Sequence, residues 1–157
     1  QRRLCDQFER NHAAFAELCK DERRFALFAE AYHTRSQTLE DPAAMGRFFV
    51  MGDDEIEYAE KAVKKVLAKG EGAGYTVLEA IRPQLAAVDP WRAEALEGVV
   101  KQFAEANEMG MGKVAQPIRV AVTGDTVSPP LGVTLEILGR EATLTRIDRC
   151  LSQRVTA

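Results

Sequence analysis

The hydrophobic positions recur with a helical period along nearly the whole chain. Ile56, Ala59, Val63, Val66 and Leu67 follow the i, i+3, i+7, i+10, i+11 spacing of one helical face. Asp53 and Asp54 stand in front of that run as candidate caps, and Gly70 behind it as a stop. A second helix is predicted from Asp89-Pro90, read as an N-cap followed by proline at the first helical position. It places Trp91, Ala95, Val99, Val100 and Phe103 inward and ends before Gly110. A closing helix over 140–153 carries Leu144, Ile147 and Leu151 on one stripe, with its arginines largely on the other side.

Elsewhere the pattern is less sharp. Phe8, Phe15, Leu18, Phe25, Phe28 and Tyr32 suit one long helix or two short ones, and 72–87 reads as a helix kinked or restarted at Pro83. Residues 123–132, Thr-Gly-Asp-Thr-Val-Ser-Pro-Pro-Leu-Gly, form a loop by their turn chemistry. Val114, Ile118, Val120 and Val122 leave 114–122 open between helix and strand, because β-branched residues favour strands. The chain thus reads as all-α, with a subdomain seam to be sought near 70–90, at the turns 70–74 or 87–90.

Composition adds bounds rather than identity. The 157 residues are 46% hydrophobic and 29% charged, enough for a core and for solubility. Net charge is −3, but residues 113–157 are mildly basic and the preceding 112 acidic, so the C-terminal third is the side expected to meet a polyanion. Cys5, Cys19 and Cys150 form neither a disulfide framework nor a zinc pattern. No apolar run approaches the ~20 residues of a membrane span and no signal-peptide pattern opens the chain, so the cytoplasm is the expected compartment. The first residue is Gln, consistent with a piece of a longer protein.

The search for catalytic chemistry finds little. Gly70-Glu71-Gly72-Ala73-Gly74 lacks the lysine and preceding strand of a phosphate-binding loop and reads as a helix connection. Asp53, Asp54, Glu55 and Glu57 could hold a hard cation, but acids at a helix start also complement the macrodipole. Cys150 lies in an arginine-rich helix beside the apolar stripe, which favours a small buried thiol over a reactive one. His33 beside Arg35 is a candidate phosphate or base contact set against an ordinary surface histidine.

One segment is specific. Residues 110–124 read Gly-Met-Gly-Lys-Val-Ala-Gln-Pro-Ile-Arg-Val-Ala-Val-Thr-Gly, followed by Ser128-Pro129-Pro130-Leu131. This resembles the C-terminal half of bacterial glutamyl-tRNA synthetases, with their GMGKVAQPLRVALTG stretch and Ser/Thr-Pro-x-Leu loop. Arg35-Ser-Gln-Thr38-Leu39 resembles the family's Arg-x-x-Thr-Leu helix start, and Phe48-Phe49 its aromatic pair. Trp91, Glu94 and Leu96 resemble its Trp-x-x-Glu-x-Leu helix, while 138–144 and 146–148 resemble its closing helix. The order agrees over 33–151, and the first thirty residues carry no matching motif. Pro130 departs from the family's usual Gly or Ala and stiffens the loop; Ile118 and Val122 replace leucines, a near-conservative exchange of volume.

The resemblance implies an α-cage of about seven to nine helices that grips the anticodon stem-loop of glutamate tRNA. It resolves 114–122 as helix and makes 1–157 an anticodon-binding domain. Arg35 then reads the third anticodon base, as in members that reject glutamine tRNA, and Arg119 contacts the first. Ser128, Pro129 and Leu131 pack around the splayed bases, with Lys113, Arg140 and Arg146 as phosphate contacts. The His-Ile-Gly-His and Lys-Met-Ser-Lys-Ser signatures are missing from this sequence. ATP and magnesium therefore belong to the parent's catalytic domain, and this monomeric piece is expected to be inactive alone, with no cofactor or metal. A free-standing interaction module derived from the same cage is the alternative, and the related cage of class I lysyl-tRNA synthetases is disfavoured by the GMGKVAQP run.

Overall fold

The computed structural model describes residues 20–33, 48, 53, 55–126 and 128–154 (backbone alone at 32 and 33). The chain divides into two compact units, Gln1–Gly52 and Asp53–Ala157. The division thus precedes the expected seam at 70–90, which falls inside the second unit. In the first unit, helix α1 spans Glu22–His33. The Asp21 carboxylate caps it by accepting from the Arg24 amide at 3.0 Å. Phe25 and Phe28, three residues apart on one face, are buried among its described side chains.

The second unit contains the short helix α2 (Glu60–Ala62) continuing into a π-helical turn, Val63–Leu67. There follow α3 (Lys69–Ala86), α4 (Ala93–Ala106), α5 (Met111–Thr123), α6 (Leu131–Leu138) and α7 (Arg140–Ser152). No strand occurs among the described residues. The predicted helix over 56–67 is shorter than its pattern, because residues 56–59 lie outside any helix: Ala59 is extended and its amide donates to the Gly124 carbonyl at 2.8 Å. Asp53 is no cap either; it pairs with Arg146 at 2.8 Å. Gly70 does act as the stop, with φ +66, and Glu71 and Gly72 share the left-handed conformation. Gly74 must be glycine, because a Cβ there would lie 2.3 Å from the Val66 carbonyl oxygen. Helix α3 continues past Pro83 to Ala86 without restarting.

The Asp89–Pro90 peptide is cis and α4 begins only at Ala93, so Pro90 is not its first residue. The inward face of α4 is Leu96, Val100, Phe103 and Ala104. Trp91, ahead of the helix, is half-buried and donates its indole N–H to the Leu135 carbonyl at 2.7 Å. Helix α5 is the hub, packed against α3, α4, α7 and the π-helical turn. Val114, Ile118, Val120, Ala121 and Val122 are fully enclosed in it. Burial of each such side chain is worth roughly 1.5–3 kcal/mol, more than the ~0.7 kcal/mol that β-branching costs a helix. Packing therefore decides for helix. Helix α6 buries seven of its eight residues, so it has no polar face and no readable stripe.

Arg146 corrects the reading of α7 as an amphipathic helix with outward arginines. The buried face is Thr143, Arg146, Ile147 and Cys150. Arg146 is 1% exposed; its Nε donates to Asp53 at 2.8 Å and its Nη1 to the Val122 carbonyl at 2.9 Å. Arg149 donates to the Ile56 carbonyl at 2.7 Å and lies over the Tyr58 ring. Cys150 is the small buried thiol that its place beside the stripe favours. Burial pushes it up to about 11 against the opposing influence of Arg149 and Tyr58, and pushes the Tyr58 hydroxyl up to about 12, with Cys150 adding to the rise.

Two outcomes are expected. Arg146→Ala strands the Val122 carbonyl and leaves the Asp53 carboxylate without its partner, and should cost about 3 kcal/mol, lowering Tm by roughly 10 °C; a change under a third of that contradicts the tie. The second concerns alkaline pH. The unfolded chain releases the Cys150 and Tyr58 protons near 9.0 and 10.0, before the folded chain does. Stability is therefore complete below pH 9 and falls as pH rises toward the folded values. Denaturation midpoints between pH 8 and 10.5 should fall more steeply for the native sequence than for Cys150→Ala, and parallel curves would refute the assignment.

Candidate nucleic-acid interface

The polar exceptions on α5 locate the site. Between Val114 and Val122 only Gln116 and Arg119 are polar, and neither is enclosed like its neighbours. Arg119 opens into a groove of about 470 Å³ between α4, α5 and the start of α6. That volume lies within the range of about 300–1,000 Å³ typical of small-ligand sites. Val100, Ala115 and Leu131 supply apolar lining, with Lys101 and Met111 beside them. Met111, 46% exposed, is the large apolar side chain left in solvent among the described residues.

The loop after α5 is built to hold Arg119. Gly124 ends the helix at φ +85, and a Cβ there would lie 2.1 Å from the Glu57 carbonyl oxygen. The chain must therefore turn as glycine allows, which sets the direction of 125–130. Ser128 Oγ accepts from Arg119 Nε at 2.8 Å and donates to the Pro129 carbonyl at 2.7 Å. Thr134 Oγ1 lies 3.1 Å from the carbonyls of both Pro129 and Pro130, closing the loop onto α6. Gly132 lets α6 sit against α4, since a Cβ would approach the Ala93 carbonyl oxygen to 2.5 Å.

Arg119 is half-buried, and desolvation lowers its pKa from the usual arginine value. It stays protonated at neutral pH. No carboxylate pairs with it among the described residues, and Ser128 engages its Nε alone. The outer edge of the guanidinium is left to face the groove. Glu97 also lines this groove but is not paired with Arg119, and a cation drawn partly out of water with no directly bonded carboxylate suits an electron-rich planar partner, by edge hydrogen bonds or by stacking.

Four of the sequence-derived residues thus meet in one place: Arg119, Ser128, Pro129 and Leu131. Their roles differ from the expectation in part. Ser128 orients Arg119 and has its hydroxyl hydrogen committed internally, while Pro129 is buried and acts through its carbonyl. Pro130, the departure in the loop, is exposed and precedes α6 as its cap residue. Arg35 and the 35–39 motif lie outside the described residues, as does the His33 side chain. Of the expected phosphate contacts, Arg146 is withdrawn into the core and Arg140 donates to the Val88 carbonyl beneath the Trp91 ring. Lys113 is exposed on a different face of α5. The contribution of Lys101 and Met111 went unread. Their spacing from Glu97 and Ala115, one helical turn each, is the signal that could have found them.

An all-helical scaffold that holds one desolvated guanidinium over an apolar groove defines a recognition domain, with binding placed ahead of chemistry. The chain belongs to the anticodon-binding domain family, whose model matches residues 4–151. That match takes in most of the first thirty residues, to which no motif could be assigned. It is 45% identical over 136 residues to a glutamate–tRNA ligase of Myxococcus xanthus, covering 85% of this chain and 27% of that protein. With a glutamate–tRNA ligase of Halorhodospira halophila it shares 42% identity over 113 residues, 72% of this chain and 23% of that one. The chain therefore spans about a quarter of the length of these relatives. In fold it matches the crystal structure of a glutamate tRNA ligase from Elizabethkingia meningosepticum, with TM-score 0.82 and 22% identity over 97% of this chain and 29% of that one.

Proposed function

We propose that this chain is the tRNA-recognition domain of a glutamyl-tRNA synthetase and binds the anticodon loop of glutamate tRNA. The observation that carries the reading is Arg119, a half-desolvated guanidinium that no described carboxylate pairs with, held by Ser128 in a groove with Leu131. Such a group can hydrogen-bond the edge of a flipped-out base bidentately, and Met111 and Leu131 offer apolar surface for its face. Arg119 reads the first anticodon base, and Arg35 the third. The parent joins glutamate to tRNA, with ATP and magnesium handled in its catalytic domain and none held here. The protein works as a monomer in the cytoplasm; no described helix is long and apolar enough to cross a membrane.

Filter binding to transcripts that differ only at single anticodon bases tests this. Arg119→Ala should weaken cognate binding by roughly 10- to 100-fold and flatten the preference at the first base. Arg119→Lys keeps the charge but should not restore the preference. Arg35→Gln should relax the third position alone. Retained preferences in these variants would sink the residue assignments, and no preference in the native chain would sink the function.

A further inference from the structure

A second groove of about 490 Å³ lies between the π-helical turn, the start of α3 and the first half of α5. Lys65, Lys69 and Lys113 line it, all three exposed, and among the described residues no carboxylate does. Gln116, the other polar residue within the enclosed stretch of α5, contributes a buried side-chain oxygen that has no hydrogen-bond partner. The groove thus combines three converging cations with an orphan acceptor.

Both features call for a ligand. Three ammonium groups facing one concavity repel each other, and a groove lined by one sign of charge concentrates a potential of the opposite demand. The complement is a polyanion. An unpartnered amide oxygen asks for a donor, which a bare phosphate chain lacks and a ribose 2′-hydroxyl provides. Gln116 itself lines the groove, and the torsion of its terminal amide is soft enough for the oxygen to turn toward a bound donor. Helix α5 also separates this groove from the Arg119 groove. Lys113 and Arg119 are six residues apart, about 9 Å along the axis and on different faces. A strand with one base at Arg119 has its backbone within reach of Lys113 at the start of the same helix, and Lys65 and Lys69 face Lys113 across the groove.

We propose that the Lys65–Lys69–Lys113 groove is a subsite for the ribose–phosphate backbone of the RNA strand read at Arg119, with Gln116 accepting from a 2′-hydroxyl. This rests on the anticodon-reading assignment and adds a sequence-independent clamp to it. Lysines suit the task because they act as point charges on phosphates and carry no base specificity.

Binding of the full chain to the glutamate-tRNA anticodon stem-loop is measured across a KCl series, with thermal melting to confirm each variant is folded. Lys65→Ala/Lys69→Ala should weaken all anticodon variants together, by roughly tenfold, and reduce the salt slope by about 1 to 1.5. Lys65→Gln/Lys69→Gln is the second pair should the first fold poorly. Gln116→Leu should erase a preference of roughly fivefold for the all-ribose stem-loop over one with 2′-deoxy positions flanking the anticodon. An unchanged salt slope, or an unchanged ribose preference, overturns the proposal. So does a polyglutamate peptide that binds through these lysines while RNA affinity ignores them, since the groove then serves an acidic protein. Lysine variants that lose affinity while Arg119→Ala keeps its base preference leave the clamp standing and remove the base-reading assignment instead.

Discussion

Everything in the second unit depends on the enclosure of α5. From Val114 to Val122 the helix has almost no polar surface to give to water, so neighbours must cover it on every side. Helices α3, α4 and α7 and the π-helical turn do so. The two polar side chains within that stretch mark where the cover is incomplete. Each lies in a groove: Arg119 toward α4 and α6, Gln116 toward the turn before α3. The site is thus a consequence of the packing. A helix that must be buried leaves openings only where its own sequence supplies groups that cannot be.

Enclosure at this density needs close backbone approach, and three glycines provide it. Gly74 admits the Val66 carbonyl, Gly124 the Glu57 carbonyl and Gly132 the Ala93 carbonyl. The last turn of α5 ends with carbonyls that lack intrahelical partners. Arg146 reaches one of them, at Val122, while pairing with Asp53. A buried cation at a helix C-terminus also complements the dipole. The exit angle of α5 is therefore fixed from two sides, by Gly124 and by Arg146. The loop leaving at that angle brings Ser128 to Arg119, so a buried structural arginine indirectly aims the recognition arginine.

Much of this was legible in the sequence, and the failures have physical causes. Helical period identified α3, α4 and α7, and the 110–131 motif identified the site-bearing segment. The start of α4 was misplaced at Pro90 because Asp-Pro mimics a capped first turn, whereas here the chain spends three more residues turning before Ala93. Helix α6 has no stripe because Leu131–Leu138 is buried nearly all round. The register of α7 was off by one residue because an arginine was assumed to face water. Arg146 sits inside only because Asp53 and the Val122 carbonyl satisfy it, and that partnership spans more than ninety residues of sequence. Local pattern carries no signal for a contact of that range.

The same error bears on electrostatics. Charge counting made the C-terminal third the basic side, through Arg140, Arg146, Arg149 and Arg154. The fold turns these arginines to its own use: Arg140 onto Trp91 and the Val88 carbonyl, Arg146 into the core, Arg149 onto Ile56 and Tyr58, Arg154 onto Glu79 and Tyr75. Guanidinium suits such work because its planar fork bonds carbonyls and its face stacks on rings with little loss of hydration. Ammonium groups hydrate too strongly for it and remain outside, as Lys65, Lys69 and Lys113 do, two of them in the part of the chain that the charge count ranked as acidic. Arg119 is the exception among the C-terminal arginines. It has a serine where the others have carbonyls, carboxylates or rings, and that weaker partner leaves the outer edge of its guanidinium available to a ligand.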